Sequence, residues 1–155
     1  MKFLKNLWDQ FNSLGKGIPE SLVSLLSRVA IASVFWRSVQ TKITGWEVYG
    51  QSLQFFNVTP STVMLFQYEY QVPLLSPASA AYLAATAEFF FPILLLLGLC
   101  TRFAALGLLG VTAVIQFFVI PEGWPVHILW LAILLYLLKH GGGKFACDYV
   151  LLRRD

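Results

Sequence analysis

Charge is what this sequence has least of. Asp, Glu, Lys and Arg make up 12% of its 155 residues, against about 25% in a typical soluble domain. That leaves too few ionic groups to coat a water-facing surface. Cysteine is scarce too. Cys100 and Cys147 stand alone, at a spacing that fits neither a zinc site nor a thioredoxin-like pair. The sequence carries no glycine-rich phosphate loop, no metal-ligand pair, no Ser/His/Asp set, and no haem, flavin or iron–sulfur pattern. No catalytic set, metal centre or bound cofactor is therefore expected from motifs. Internal repeats, which mark many transporters, are also missing.

What the sequence does have is apolar surface. Hydrophobic residues make up 57%, and the mean hydropathy is +0.68. Lipid is the expected solvent, and 155 residues allow one domain at most. A net charge of +3 and a pI near 9.0 raise the question of nucleic acid. The basic residues gather at the ends of apolar runs rather than in one stripe, so no nucleic-acid partner is expected.

Residues 19–155 are expected to form an all-α membrane domain, an antiparallel bundle of four transmembrane helices. The spans fall at about 22–42, 80–99, 102–120 and 124–139. Each is near the ~20 residues that cross a ~30 Å hydrocarbon core. The turn Gly98-Leu99-Cys100-Thr101 is tight, so the second and third spans are antiparallel neighbours. Pro121-Glu122-Gly123 ends the third span, and Gly141-Gly142-Gly143 ends the fourth. Residues 1–18 read as an amphipathic interfacial helix, with Phe3, Leu4, Leu7, Trp8, Phe11 and Leu14 on one side. They lack the unbroken apolar run and cleavage site of a signal peptide. The loop 43–79 exceeds the ~12–15 residues a structureless loop usually reaches, so a short helix is expected within it. Thr59 and Pro60 have the character of an N-cap and a first-turn proline, opening a helix through Met64–Phe66.

Orientation follows from the basic residues. Lys2, Lys5, Lys16, Arg102, Lys139, Lys144, Arg153 and Arg154 fall on one side, which is expected to be cytoplasmic together with both termini. The other side carries Lys42 with Glu47, Glu69 and Glu122. The loop would then face outward from an inner membrane, and both cysteines would stay reduced.

Charged or strongly polar residues within spans cost about 2.5–3.5 kcal/mol even on the mild insertion scale. They therefore tend to face the protein interior and mark function. Here they are Arg28, Arg37, Glu88, Gln116 and His127. Counted from the outer ends at 1.5 Å per residue, Glu88 lies about 12 Å deep, Arg37 about 8 Å, Gln116 about 6 Å and His127 about 4 Å. Arg28 lies deeper, at the middle or in the inner half. Glu88 shares a face with Ala81, Ala84 and Ala85, small residues that let another helix approach. Pro92 cannot donate to the Glu88 carbonyl. By helical angle Arg28 and Lys42 share one side of the first span and Arg37 takes the other. By depth Arg37 matches Glu88 best, and Arg28 reaches it from below. His127 sits in a first helical turn, where the dipole favours the uncharged imidazole, a group able to donate and accept protons. Glu69 and Trp124 lie nearby as supporting residues. Each also has a plain structural reading: an Arg–Glu pair can simply hold helices together, Gln116 can bridge them, and Trp124 can anchor at the interface.

At these residues a resemblance emerges. Arg28 through Ser38 with Thr41-Lys42 resembles the first helix of DoxX family proteins. So do Ala87-Glu88, the turn Leu97-Gly98-Leu99-Cys100-Thr101-Arg102, and the close Gly141-Gly-Gly-Lys-Phe-Ala-Cys147-Asp148. Glu69-Tyr70, Pro73-Leu74-Leu75, Val114-Ile115-Gln116 and Trp124-Pro125 with His127 are similar to one proteobacterial branch. Cys147 stands where Ser is usual, and Tyr149 follows Asp148. The resemblance implies a four-helix inner-membrane protein. It also implies association with quinone-linked redox systems, the origin of the family name.

Three functions compete. The first is a redox-associated subunit binding a quinone-like molecule in the outer half. There Arg37 and Lys42 would orient polar groups, Glu88 and His127 would handle protons, and Gln116 would join the ligand-binding set. The second is a scaffold that docks a protein partner through the outer loop. The third is a small proton-coupled transporter, for which four spans are few unless the chain forms a homo-oligomer.

Overall fold

The four apolar runs become four long helices, joined at one end by a short turn and at the other by a structured segment and a second short turn. The computed structural model describes residues 4, 5, 7, 8, 13, 16–48 and 51–152. Most of the expected amphipathic segment, Met1–Lys16, lies outside the described residues. Helix α1 spans Glu20–Gln40. It is followed by strands β1, Ile43–Val48, and β2, Gln51–Val58. The short helix α2 covers Pro60–Leu65 and continues into a π-helical turn, Phe66–Tyr70. Helices α3, Pro77–Leu97, and α4, Thr101–Val114, follow, and α4 also runs into a π turn, Ile115–Val119. Helix α5 is Trp124–His140, and α6 is Cys147–Leu152.

Among the described residues four helical stretches are long and apolar enough to cross a bilayer: Glu20–Gln40, Pro77–Leu97, Thr101–Val119 and Pro121–His140. The protein is a multi-pass membrane protein, and its apolar helix faces meet lipid. Around the bundle α1 packs on α3 and α5, while α4 packs on α3 and α5. The centre is made by Ile31, Ala32 and Phe35 of α1, Leu95 of α3, Ala104, Ala105 and Leu108 of α4, and Leu134 and Leu137 of α5. Ala81, Ala85, Ala104 and Ala105 are fully buried. Alanine matters because association in lipid relies on close packing rather than hydrophobic expulsion.

The all-α expectation needs one correction. The first part of the long loop is an antiparallel hairpin, paired from Ile43 with Val58 to Val48 with Gln51, with an irregularity between Thr44 and Trp46. Runs containing Ile, Val, Trp and Phe suit a pleated ribbon, and pairing satisfies backbone groups that a loop would leave to water. After the hairpin, the Thr59 hydroxyl accepts from the Thr62 amide, with Pro60 at the first turn of α2.

The opposite end of the bundle is closed by backbone geometry. Gly98 adopts φ +68 beyond α3, and the Leu99 amide donates back to Leu94 O at 2.9 Å. This is a Schellman-type ending. A Cβ at Gly98 would collide with the Arg28 guanidinium and Ala146. Asp148 bridges the turn. Its carboxylate accepts from the amides of Cys100 at 2.7 Å and Thr101 at 2.8 Å, so the tail caps the start of α4.

Candidate functional site

The site begins where α1 ends. The Thr41 and Lys42 amides donate back to Ser38 and Val39, closing the last turn. The Lys42 carbonyl accepts from the Thr59 amide and from the Thr62 hydroxyl, each at 3.0 Å. The base of the hairpin thus fixes the Lys42 backbone. Its side chain turns back into the bundle. The ammonium donates to Ser38 Oγ at 2.6 Å and to Glu88 Oε2 at 2.7 Å. Glu88 is 2% exposed and the Lys42 side chain 14%. Ala85 and Ala81, one and two turns before Glu88, are fully buried. Helical side chains lean toward their own N-terminus. That lean carries Glu88 toward the hairpin end, where Lys42 waits.

A second polar pair forms across α4 and α5. Gln116 lies in the π turn of α4, and its amide nitrogen donates to Pro121 O at 2.7 Å. The other end of the amide must then be the oxygen, which faces His127 Nδ1 at 2.7 Å. An amide oxygen only accepts, so Nδ1 carries the proton. In the neutral ring Nε2 keeps its lone pair. His127 is 5% exposed, and its ring lies 4.8 Å from that of Trp130.

Lys42, Glu88 and His127 border one cavity of about 410 Å³, within the ~300–1,000 Å³ usual for small-molecule sites. Lys42, Glu88 and His127 contribute polar atoms to it. Most of the remaining wall is apolar, with Ala84, Phe91, Val111 and Trp130 among its residues. Two of the three Lys42 N–H groups are taken, by Ser38 and Glu88. Glu88 Oε1 has no hydrogen-bond partner among the described residues. The wall therefore holds a spare donor beside a spare acceptor, with the His127 ring elsewhere on the same cavity. Tyr70 also lines it. Burial pushes the Tyr70 hydroxyl above its usual range, and the Glu69 and Glu88 carboxylates add to this.

The structure therefore places Lys42, Glu88 and His127 on one cavity, with Gln116 joined to it only through His127. It keeps the other sequence-derived residues apart. Arg37 is exposed on α1 and does not line the cavity. Arg28 does not reach Glu88 from below. Its side chain leans toward the start of α1 and donates to Phe145 O at 3.0 Å. Glu69 is exposed beside Tyr70, and Trp124 is 52% exposed at the start of α5. The sequence reading missed Ser38 and the Pro121 carbonyl. Ser38 stands one helical turn before Lys42, which is the pattern that could have revealed it.

The DoxX family model matches residues 23–121, more than half of the chain. The chain belongs to the DoxX family. The matched region of this DoxX protein holds Lys42, Glu88 and Gln116 and stops short of His127. No curated protein and no solved structure matches the chain.

Proposed function

We propose that this DoxX protein is a redox-associated inner-membrane subunit that binds a small, largely apolar, quinone-like molecule in the cavity beside Glu88. One observation carries the reading: the Lys42–Glu88 pair and His127, itself held by Gln116, border a single apolar cavity of about 410 Å³. Mostly apolar walls with a few placed polar groups are what orient a small ligand. A quinone-like carbonyl suits the spare Lys42 N–H, and a hydroxyl suits Glu88 Oε1 or the His127 lone pair. Protein extracted in mild detergent, followed by solvent extraction and mass spectrometry, tests this. A bound amphiphile near one per chain, reduced in Glu88→Gln, supports the reading. No such molecule, together with no saturable binding of added decylubiquinone, overturns it.

The asymmetry of Lys and Arg supports placing both termini in the cytoplasm. Cys100 and Cys147 are exposed at the end of the bundle opposite the hairpin. A membrane-impermeant maleimide should label them in intact cells only after the inner membrane is opened.

A second reading, docking of a protein partner through the loop, is favoured by Leu74. This side chain is fully exposed on a backbone with φ +71, a conformation uncommon for a bulky residue. Loss of partner co-purification in Leu74→Asp, with bound amphiphile retained, would favour this reading over the first.

A further inference from the structure

The cavity reaches the side of the bundle as well as its interior. Leu83 of α3 and Val114 of α4 both line it, yet they are 61% and 37% exposed. Gly110, one helical turn from Val114 on α4, also lines the cavity and is exposed. A Cβ built at Gly110 meets nothing within 4 Å. At 1.5 Å per residue, Leu83 stands about 9 Å along α3 from its start, and Gly110 about 14 Å from the hairpin-side end of the π turn. Those depths are hydrocarbon, not headgroup. An opening there faces acyl chains.

The wall around the opening contains no charge. Leu83, Gly107, Gly110, Val111 and Val114 are all apolar, and the polar groups lie further in, at Lys42, Glu88 and His127. This order, apolar gap first and polar pair behind, suits a molecule with a polar head and a hydrocarbon tail.

We propose that the gap between α3 and α4 at Gly110 is a lateral portal, through which a chain-bearing amphiphile enters from the bilayer and leaves its tail in the gap. The inference rests on the cavity being a ligand site and adds the ligand's class and its route. The bilayer is the source, because the gap opens at acyl-chain depth.

Trp130, which lines the cavity, reports on the portal. A variant retaining Trp130, with Trp8, Trp36, Trp46 and Trp124 replaced by Phe, is reconstituted in phosphatidylcholine brominated at mid-chain. Trp130 fluorescence should be strongly quenched relative to unbrominated lipid. Gly110→Phe should cut that quenching at least threefold, and Val114→Phe should act in the same direction if the first variant folds poorly. Leu106→Phe, an exposed position on α4 that does not line the cavity, should leave it unchanged. Absent quenching, or equal quenching in the parent, Gly110→Phe and Val114→Phe, overturns the portal. Decylubiquinone binding is measured on the same samples. Saturable binding that Gly110→Phe leaves intact would also sink the portal while sparing the ligand reading. Lipid quenching sensitive to Gly110 without quinone binding would retain the portal and remove the quinone-like head.

Discussion

Lys42 Nζ lies 2.7 Å from Glu88 Oε2, although the residues are 46 positions apart in the chain. The pair ties the end of α1 to the middle of α3 at the wall of the cavity. Both charges are removed from water. Removing one partner of such a pair typically costs about 3–5 kcal/mol, because the other is left buried and uncompensated. Lys42→Met should therefore lower thermal stability in detergent more than the double variant Lys42→Met/Glu88→Met does. If the two losses simply add, the pair is not coupled as the geometry requires.

Gly107 faces the Phe91 ring so closely that an added Cβ would collide with it. Gly107→Ala should destabilise by about 1–3 kcal/mol, the usual scale of overpacking. Gly107→Ala combined with Phe91→Leu should recover most of the loss. A neutral Gly107→Ala in thermal unfolding would contradict the close approach of α3 and α4.

Asp148 acts as a remote cap, accepting from two amides at the start of α4. Cys100, directly before the helix, has φ +47 and makes no side-chain cap of its own. Asp148→Ala should cost about 1–2 kcal/mol, as loss of a cap does. Asp148→Asn, which retains one acceptor oxygen, should cost less. Thermal unfolding of the three proteins gives the order.

Tyr70 tests the electrostatics of the cavity wall. Its hydroxyl is held above the usual value of 10.0, first by burial and then by Glu69 and Glu88. A folded-state value above the unfolded one stabilises the fold below pH ~10, and this contribution is lost as pH rises through the folded value. Ultraviolet difference titration should show one phenol ionising late, and that phase should vanish in Tyr70→Phe. Glu69→Gln should move it back toward the ordinary value.

Much of this was written in the sequence, though unevenly. Long apolar runs announced the four helices because lipid demands them. The Ala81, Ala85, Glu88 spacing placed Glu88 inside the bundle. The partner of Glu88 was harder to read. Depth counted along a straight helix favoured Arg37, while helical angle put Lys42 on the side shared with Arg28. The angle was the better guide, since the turn at Thr41–Lys42 sends the ammonium back along α1 to Ser38 and Glu88. Arg28 leans the opposite way, toward its own N-terminus, and ends against Phe145. The hairpin is less legible, because the aromatic and β-branched residues on either side of Gly50 run directly into the helix signal at Thr59-Pro60. The Gln116–His127 contact depends on a π turn, whose extra residue no simple 3.6-residue spacing foretells.

The cavity lined by Lys42, Glu88 and His127 is proposed to hold a ligand. Titration of Trp130 fluorescence with decylubiquinone in lipid nanodiscs, using the protein with Trp130 as its sole tryptophan, tests it most directly. Saturable quenching is expected, weakened about tenfold by Glu88→Gln or His127→Ala, the cost of roughly one hydrogen bond. Linear, unsaturable quenching, identical in all three proteins, would contradict it.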